Sequence, residues 1–582
     1  MHPSRQPHFA LLLAAAWLLG CVQLLAQNWT DTALTLADTD DAMRLAQLRD
    51  WLGGQGWYDM TQLRIAGGYE SHWSRLIDAG LAGTLWMFGL FAQPAMAERL
   101  MRTVWPMLWL LPTIGGAAAI AWRIAGREAA LIALLSAVVG LPAFHQFRPG
   151  RIDHHNVQIA LSVLAIAATV WSERVRWAAA AAGAVTGLAM AIGLECLPYL
   201  LVCGAAFAAR YAIRAEAARA ASEYGLVLAL SSLAGFFVIV GPDHWTRGVC
   251  DEIAVNWAAL TVSGGLGLAL AARFTGARLA VRCAQVLIVG TAATALFLFI
   301  EPRCLRGPYA MMDAAVWPIW LTHVREMQPL IALMMKNPPI GIAITAFPAV
   351  ALMAALVLAR DPELRRDVGF LTATAAFVVA FLTALAAVKA AAYATWLAMP
   401  LVAAFALHLF RLLRLQSLVP RAALGVLLTP AVLSLGAITI ANAAGLGMHD
   451  NLQRTEPDTC FKTESYAMLA RLPRGLIVTE IDYGSFVLAL TPHNVVAAPY
   501  HRLSAGILTV HQALTSPPDE ARRLLARIHA DYVATCGKSS LHGISAAERD
   551  ASLWESLRAN AVPDWLEPIP VSGPFAIYRV KP

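Results

Sequence analysis

The feature that most limits the fold of this chain is a series of apolar blocks, each about 17–22 residues long. A helix of that length crosses the hydrocarbon core of a bilayer, which is roughly 30 Å thick. In that core only helices and closed barrels satisfy every backbone hydrogen bond, and these blocks are too long for barrel strands. The sequence therefore predicts a polytopic α-helical membrane protein.

Composition agrees with this prediction. The chain is 58% hydrophobic and 14% charged, whereas soluble domains are roughly 45–50% apolar and 25% charged. The net charge is +6, from 44 Lys and Arg against 38 Asp and Glu. Because the basic residues cluster in short loops between apolar blocks, we attribute the excess to the positive-inside rule. Nucleic acid is not an expected partner.

The positive-inside rule also decides the predicted topology. The apolar run at 80–97 is interrupted by Pro94 and followed by Arg99 and Arg102. If it lies within an external loop, about thirteen spans result and the Arg-rich loops face the cytoplasm. If it spans, those loops face outward, against the rule. The predicted spans lie near 9–26, 104–121, 129–147, 156–171, 177–193, 195–210, 224–240, 254–272, 283–300, 340–359, 368–388, 391–410 and 421–440.

The predicted architecture has two parts. Residues 1–440 form an all-α membrane domain with a long first external loop at 27–103, and residues 441–582 form a small α/β domain outside the membrane. The run at 9–26 could be a cleaved signal peptide, but we expect a retained helix. The whole is predicted to be a multi-pass protein of the inner membrane. The predicted external segments are 27–103, 148–155, the turn at Glu195, 241–253, 301–339 and the tail, all facing the periplasm.

The tail alternates strand-like runs with an amphipathic helix near 517–529. The strand-like runs begin at Gly475, Phe486, Asp531 and Phe575. The chain has eight cysteines without CxxC spacing, which argues against a zinc or redox motif of that kind. An oxidising compartment outside the membrane favours disulfides. The predicted pairs are Cys250–Cys304 and Cys460–Cys536.

The first external loop opens with Asp38, Asp40 and Asp41. Three carboxylates within four residues repel one another unless a divalent metal, an ammonium group or an arginine lies among them. The alternative is a helix N-terminus, where Asp caps the helix and complements its dipole. Both interpretations are compatible, because a helix at 41–52 would hold the carboxylates at its start.

Further polar residues lie in other external segments. His72 and Arg75, where the first loop returns to the membrane, could bind phosphate or donate a proton. The turn at 148–156 contains Arg151, Asp153, His154 and His155, and Asp and His are ligands for Mg²⁺, Mn²⁺ or Zn²⁺. A polar cap at the membrane interface is the plainer interpretation of that turn.

Two later residues extend this pattern. Glu326, in the 301–339 loop, could complete a metal shell or act on an acceptor. Lys389 begins a span near the outer face, where a cation either snorkels or meets an anion such as phosphate. The tail adds the polar candidates Asp482, Tyr483, His501 and Arg502.

In this order the motifs resemble the GT-C superfamily of membrane glycosyltransferases, and most of all the catalytic subunit of oligosaccharyltransferases. That family has thirteen spans, an Asp motif in a long first external loop and a second acidic motif in the next external turn. A Thr/Ser-x-x-Glu element, a phosphate-binding Arg and a mixed C-terminal domain follow. The matching segments here are Asp38–Asp41, Gly150–His155, Thr322–Glu326 with one residue more, and Lys389 with Tyr393 and Pro400.

One departure affects the acceptor. The family's Trp-Trp-Asp-Tyr-Gly signature, which reads the protein sequon, is present here only as Glu480–Gly484 and lacks both tryptophans. The resemblance therefore implies an acceptor lipid, glycan or other protein site at least as readily as a sequon asparagine.

The resemblance implies a glycosyltransferase that moves a sugar or glycan from a polyprenyl-(pyro)phosphate donor to an acceptor on the extracytoplasmic side. The implied catalytic carboxylates are Asp38, Asp40, Asp41 and Asp153, of which Asp38 or Asp41 would orient or deprotonate the acceptor. The implied ligands of a divalent cation, Mn²⁺ or Mg²⁺, are Asp40, Asp153, His155 and Glu326. The donor phosphate would meet His72, Arg75, Arg151 and Lys389. The acceptor side would include Asp482, Tyr483, His501 and Arg502.

Two other functions stay open at this point. A transporter or flippase of lipid-linked sugars would place ionisable residues at the membrane midplane, often in repeated halves. Here the polar clusters lie in external loops and no twofold repeat is visible, which makes transport the weaker alternative. A glycan polymerase or ligase would share the donor chemistry and the topology. The enzyme hypothesis requires Asp40, Asp153 and Glu326 to converge to within roughly 10 Å around one pocket.

Overall fold

The structure is a computed structural model that describes residues 9–29, 36–274, 278–446, 459–536, 541–570 and 573–581. Helices dominate the described chain. Up to residue 300 they are α1 (Phe9–Asn28), α2 (Thr39–Leu52), α3 (Arg75–Gly89), α4 (Pro94–Ala125), α5 (Arg127–Val138), α6 (His155–Trp171), α7 (Ala178–Ile192), α8 (Leu197–Ile213), α9 (Ala218–Ile239), α10 (Val255–Ala271) and α11 (Leu279–Ile300).

The remaining helices include the last apolar ones and those of the tail. They are α12 (Val316–Ile319), α13 (Leu330–Lys336), α14 (Pro338–Leu358), α15 (Val368–Ala386), α16 (Ala391–Leu412), α17 (Leu418–Leu427), α18 (Pro430–Ala443), α19 (Gly484–Leu490), α20 (Ser504–Thr515), α21 (Pro518–Arg527), α22 (Ala546–Asp550) and α23 (Leu553–Arg558).

Within the described chain, seven helices are long and apolar enough to cross a membrane: α1, α4, α9, α11, α14, α15 and α16, two of them extended by a preceding turn. An eighth results if α17 and α18, bent by 60° at their junction, form one span. The shorter apolar helices α6, α7, α8 and α10 coincide with four more predicted spans. The chain is thus a multi-pass membrane protein, whereas the number of thirteen spans stays a prediction.

The run at 80–97 is divided between two helices. Helix α3 begins after Ser74, whose hydroxyl accepts a hydrogen bond from the Leu76 N–H, and ends at Gly89. Helix α4 then starts at Pro94, a residue that suits the first position of a helix because its fixed φ is helical and its missing N–H has no intrahelical partner there. This run is not one continuous helix, in keeping with its assignment to the first external loop.

Helix α16 lies at the centre of the bundle, buried along most of its length and packed against α4, α5, α14 and α15. Its fully buried Trp396 donates from Nε1 to the Ala143 carbonyl at 3.2 Å. Helix α6 packs against α4, α7, α8 and α15. Small residues line these helices and permit close helix–helix approach in a bilayer.

The tail contains a sheet whose strands are β3 (Leu476–Thr479), β4 (Asn494–Val495), β5 (Tyr532–Cys536), β6 (Leu566–Ile569) and β7 (Phe575–Val580). Its order is β4-β3-β5-β7-β6. The first three are parallel to one another, and β7 pairs antiparallel with β5 and β6. The predicted strands at 475, 531 and 575 and the helix near 517–529 are confirmed.

The strand predicted to begin at Phe486 is wrong, because residues 484–490 form helix α19. A short apolar run has the same composition in a buried strand and a buried helix, so periodicity could not separate the two. Gly484 opens the helix where a side chain would not fit. A Cβ there would lie 2.0 Å from the Ala497 carbonyl oxygen.

The tail packs on the first external loop, which also carries a hairpin of β1 (Thr61–Gln62) and β2 (Tyr69–Glu70). The Val495 N–H donates to the Arg64 carbonyl at 2.9 Å, and the Ala66 N–H donates to the Val495 carbonyl at 2.8 Å. The Arg49 guanidinium donates to the Ala489 carbonyl at 2.6 Å. Both predicted disulfides, Cys250–Cys304 and Cys460–Cys536, are present.

Candidate active site

The N-terminus of α2 organises the first acidic motif. The Asp38 carboxylate caps the helix and accepts hydrogen bonds from the N–H groups of Asp40 at 2.9 Å and Asp41 at 3.2 Å. The other oxygen of Asp38 contacts the Arg151 guanidinium. The capping interpretation and the cation interpretation therefore both apply to this segment.

Asp41 joins this helix to the second acidic motif. Its Oδ1 accepts hydrogen bonds from the N–H groups of Ile152 at 2.6 Å and Asp153 at 3.0 Å. Arg151 lies 3.3 Å from the Asp41 Oδ2 and also contacts Asp153. One guanidinium thus lies among the carboxylates of Asp38, Asp41 and Asp153.

A chain of charged contacts continues from Asp153 toward the central helix. His155 begins α6, and its Nδ1 lies 3.3 Å from the Asp153 Oδ1. Its Nε2 lies 3.4 Å from the Glu195 Oε2, and the Lys389 ammonium contacts the Glu195 Oε1 at 2.5 Å. We call these seven residues the acidic centre: Asp38, Asp41, Arg151, Asp153, His155, Glu195 and Lys389.

Asp40 and Glu326 belong to the surroundings of this centre. Burial raises the pKa of Asp40 to about 7, and the negative charges of Glu326 and Asp153 add to that rise against the opposing charges of His155 and Lys389. The 3-10 turn that carries Glu326 (Arg325–Met327) packs against the turn that carries Lys389. The structure thus brings Glu326 and Asp153 within electrostatic reach of Asp40.

The two fully buried aspartates of the centre have opposite shifts. Burial raises the pKa of Asp41, and the nearby charge of Asp153 raises it further. Burial acts on Asp153 in the same direction, but Arg151 and His155 outweigh it and hold the pKa of that carboxyl well below its usual range. Asp153 is therefore ionised across the physiological range.

The donor atoms of the centre suit a divalent cation. Two groups of three, Asp38 with Asp41 and Asp153, and His154 with His155 and Glu195, each place their ligand atoms within 4.8 Å of one another. Several of these atoms are buried without a hydrogen-bond partner among the described residues: Asp41 Oδ2, Glu195 Oε2 and both ring nitrogens of His155. Carboxylate and imidazole ligands of this kind bind Mg²⁺, Mn²⁺ or Zn²⁺.

Arg75, predicted to bind the donor phosphate, lies within the first external loop. It pairs with Asp78 at 3.1 Å, and Asp78 also pairs with Arg44 at 2.9 Å. It further donates to the carbonyls of Trp57 at 3.2 Å and Asp59 at 2.5 Å. The side chain is only 1% exposed and its partners all belong to the first loop, so its role at the donor phosphate stays a prediction.

His72, His501 and Arg502 meet at a second cluster. The His501 Nε2 lies 2.6 Å from the Asp251 Oδ2, and Arg502 donates to both oxygens of Asp251 at 2.7 Å. Arg502 also contacts Glu252 at 2.8 Å. The ring of His72 packs edge-on to that of His501, with centroids 4.7 Å apart. We call His72, Asp251 and His501 the His–Asp cluster.

The remaining acceptor-side candidates, Asp482 and Tyr483, lie in the tail at the turn before α19. Tyr483 is 2% exposed and packs against Phe461 and Phe575 in the core beside the sheet. Asp482 is exposed on the turn before α19. The structure therefore does not bring these two residues to the acidic centre.

Sequence reasoning missed two functional candidates, Glu195 and Asp251. Glu195 is a single carboxylate in a turn between two apolar helices, and an ionisable residue in such a place is a functional candidate by default. This position predicts Glu195 as a candidate, whereas the topology prediction assigned the residue only to an external turn. Asp251 follows Cys250, and its role emerges only from its contacts with the tail.

The sequence matches no protein-family model and no curated protein sequence. The structure, in contrast, is similar to that of the oligosaccharyltransferase of Archaeoglobus fulgidus. In the apo form of that enzyme the TM-score is 0.67 at 14% identity, over 92% of this chain and 70% of that one. Its AglB complex with an inhibitory peptide and a dolichol-phosphate gives 0.65 at 14%, over the same shares.

A third structure of the A. fulgidus enzyme, the complex with Zn and sulfate, gives a TM-score of 0.60 at 12% identity, over 90% of this chain and 68% of that one. At such identities the likeness establishes the fold and no more. The chain therefore has the fold of this oligosaccharyltransferase, and the resemblance predicted from its motifs is confirmed at the level of the fold.

Proposed function

We propose that the chain is a membrane glycosyltransferase that transfers a sugar or glycan from a polyprenyl-linked phosphate or pyrophosphate to an acceptor. The observation that carries the proposal is the acidic centre. Four segments far apart in sequence bring their carboxylates, a histidine, an arginine and a lysine to one end of an apolar helix bundle that has the oligosaccharyltransferase fold.

The two cations of the centre suit a phosphate leaving group. As the bond between the anomeric carbon and the phosphate oxygen breaks, negative charge develops on the phosphate next to low-dielectric lipid. Cations already in place there stabilise the transition state by several kcal/mol. Arg151 pairs with Asp153 and Lys389 pairs with Glu195. His155 lies between these two carboxylates. The A. fulgidus enzyme, whose fold this chain shares, has been solved with a dolichol-phosphate.

A divalent cation fits the same donor atoms. Asp153 and His155, with Asp40, Asp41 or Glu326, would hold it. The Asp41 Oδ2 and the His155 ring nitrogens are oxygen and nitrogen ligands that make no hydrogen bond with the described residues. When bound, such an ion supplies Lewis-acid stabilisation of the phosphate charge. The Zn and sulfate complex of the A. fulgidus enzyme supports a metal in this fold.

The acceptor hydroxyl or amide would be oriented by Asp41. Of the two candidates for this role, Asp38 already caps α2 and pairs with Arg151. Asp41 is fixed by two backbone N–H groups through Oδ1, and its Oδ2, which lies 3.3 Å from Arg151, accepts no hydrogen bond from the described residues. It would take the acceptor proton as the new glycosidic bond forms and the polyprenyl (pyro)phosphate departs.

The acceptor is best sought beyond the protein sequon. The segment that replaces the sequon-reading signature belongs to the core of the tail: Tyr483 packs among aromatic rings, and the Glu480 carboxylate accepts from the Cys536 N–H at 3.0 Å. An acceptor lipid, a glycan or another protein site fits this arrangement. A glycan acceptor would make the protein a polymerase or ligase. Transfer would take place at the periplasmic face of the inner membrane.

The proposal is tested with purified protein in detergent. Polyprenyl-phosphate and polyprenyl-pyrophosphate sugars are supplied with pooled lipid, glycan and peptide acceptors, with and without Mn²⁺, and the released polyprenyl (pyro)phosphate is measured by mass spectrometry. We expect acceptor-dependent release that falls by at least about 10²-fold in Asp153→Asn. The matched control is Asp564→Asn, whose side chain is exposed in the tail. Equal release by wild type and Asp153→Asn would contradict the proposal.

A further inference from the structure

We propose that the His–Asp cluster is a second cation site, which binds Zn²⁺ and fastens the tail to the first external loop. Its three ligands come from three segments: His72 from the first loop, Asp251 from the segment after α9, and His501 from the tail. None of these three residues belongs to the acidic centre. The ligands of the two cation sites are therefore different residues.

The geometry of the cluster is close to that of a zinc site. One ring nitrogen of each histidine and one oxygen of Asp251 all lie within 4.8 Å of one another. A tetrahedral Zn²⁺ with bonds of about 2.0–2.1 Å holds its ligand atoms roughly 3.3 Å apart. Side-chain rotations that shorten the longest separation by up to about 1.5 Å and lengthen the 2.6 Å between His501 Nε2 and Asp251 Oδ2 would complete the site. Two imidazoles and one carboxylate are a donor set typical of zinc.

An unpaired nitrogen points independently to a ligand. The Nδ1 of His72 is buried and has no hydrogen-bond partner in the part of the chain that the structure describes. A buried polar atom without a partner destabilises the folded state. The ring of His72 packs edge-on against that of His501. A cation bound by both residues would give the buried His72 nitrogen a partner.

Arg502 does not exclude a cation at Asp251. A carboxylate has about four lone-pair sites on its two oxygens. Arg502 uses two of them, donating to Oδ2 from Nε and to Oδ1 from Nη2. His501 Nε2 takes a third lone pair, on Oδ2 at 2.6 Å, and a cation bound by both residues would replace that hydrogen bond. The neighbouring Glu252 offsets the charge of Arg502.

The position of the cluster suggests its effect on the fold. Asp251 follows Cys250, whose disulfide with Cys304 fixes the backbone there. Next to His501, the Tyr500 hydroxyl donates to the Thr39 carbonyl at 3.0 Å, in the loop that carries the first acidic motif. A zinc ion at the cluster would thus hold the tail against the loop that forms one wall of the acidic centre.

The experiment separates the two cation sites by using full-length Asp153→Asn protein in detergent, in which the acidic centre is impaired. The protein is stripped with a chelator, reloaded with Zn²⁺ or Co²⁺ and dialysed, and bound metal is counted by elemental mass spectrometry. We expect about one retained Zn²⁺ per chain and the visible absorption bands of four-coordinate Co²⁺. Adding His72→Ala is expected to remove both signals.

The matched control is His529→Asn, an exposed histidine whose φ of 54° asparagine tolerates. It is expected to leave bound zinc unchanged. If His72→Ala does not fold, His501→Cys gives an independent reading, because a thiolate ligand adds a sulfur-to-cobalt charge-transfer band. Absence of retained zinc and of Co²⁺ bands in Asp153→Asn overturns the proposal, and so does zinc that persists after His72→Ala.

Discussion

Arg151 shows at the scale of one residue how the acidic centre resolves its own repulsion. Asp38, Asp41 and Asp153 would repel one another, and the guanidinium lies among all three. Its planar fork can pair with several carboxylates at once, which an ammonium cannot do with fixed geometry. The sequence predicted that a cation is needed there and left open a metal, an ammonium or an arginine. Only the fold could show that an arginine lies among these carboxylates, because its position depends on which loop returns to α2.

Lys389 gives the first prediction at this scale. We expect Lys389→Gln to lower kcat/KM for the polyprenyl-linked donor by about 10²-fold, because it removes a positive charge from the place where the leaving phosphate gains a negative one. The measurement is steady-state release of the polyprenyl (pyro)phosphate at varied donor concentration.

The control for this prediction is Lys581→Gln, near the end of the chain, where the exposed ammonium donates only to the Asp564 carbonyl among the described residues. It is expected to keep the wild-type kcat/KM. An unchanged kcat/KM in Lys389→Gln would contradict a role for this lysine at the phosphate and would leave Arg151 as the main cation.

Much of the acidic centre could be predicted because clusters of charged residues are conspicuous in the segments predicted to lie outside the membrane. Asp38, Asp41, Asp153 and His155 were all identified in this way. Arg75 shows the limit of the method, since its partners, a buried carboxylate and two carbonyls, come from the fold of the first loop. A sequence gives the charge of a side chain but not the groups that already neutralise it.

At the scale of the element, helices α9 and α10 cross at two glycines. A Cβ on Gly265 would lie 2.4 Å from the Gly225 carbonyl oxygen, and a Cβ on Gly225 would lie 2.4 Å from the Gly265 oxygen. We expect Gly265→Ala to push the helices apart and to destabilise the protein by about 1–3 kcal/mol. The measurement is the thermal midpoint of unfolding in detergent.

Gly290→Ala in helix α11 is the matched control. A Cβ at Gly290 would have no described atom within 4 Å, and alanine favours a helix over glycine by up to about 1 kcal/mol. The thermal midpoint of this variant should equal or exceed that of the wild type. If Gly265→Ala were as stable as Gly290→Ala, the close crossing of α9 and α10 would be refuted.

A histidine pair makes the contact between the 301–339 loop and the tail sensitive to pH. The rings of His323 and His542 stack with centroids 3.6 Å apart. Burial lowers the pKa of His542 below its ordinary value of 6.5, and the positive charges of His323, Arg549 and Lys336 lower it further. The folded state thus favours neutral His542. This contribution to stability is fully present above pH 6.5 and is lost as the pH falls below it.

The test is hydrogen exchange in peptides covering residues 316–327 at pH 7.5 and 5.5, corrected for the intrinsic rate. We expect exchange to increase at the lower pH in the wild type, because protonated His542 repels its basic neighbours. The variant His542→Gln cannot be protonated and should lose most of this difference. An equal pH effect in both proteins would assign it to another group, for example His511, which bonds the His542 carbonyl at 2.8 Å.

Long apolar elements were predicted well, and short ones only in part. Helices such as α11 follow from a window of apolar residues as long as the bilayer is thick. The tail strands at 475, 531 and 575 were found because flanking polar residues bound them. The strand predicted at 486 is wrong, because seven residues are too few to distinguish the period of a helix from that of a strand. The one-turn elements that position Glu326 and Lys389 carry no such signal at all.

At the scale of the whole molecule, the acidic centre and the disulfides lie on the same side of the bundle. Cys250–Cys304 adjoins Asp251, which contacts the tail, and Cys460–Cys536 lies within the tail itself. Structural disulfides persist in oxidising compartments and are rare in the cytosol. The Arg-rich loops, in contrast, obey the positive-inside rule only if they face the cytoplasm. Both arguments support the proposed orientation, in which the acidic centre faces the periplasm and the Arg-rich loops face the cytoplasm.

This orientation makes a last prediction, tested by labelling with a membrane-impermeant maleimide in a Cys283→Ala background. Cys283 is the exposed free cysteine of the described chain, and the other free cysteines there are buried. Two exposed acidic residues are replaced in turn, Asp519→Cys in the tail and Glu363→Cys in the loop before α15. In cells with a permeabilised outer membrane, Asp519→Cys should be labelled at once and Glu363→Cys only after the inner membrane is broken. The reverse pattern would turn the acidic centre toward the cytoplasm, where a periplasmic acceptor could not reach it, and the proposed side of transfer would be wrong.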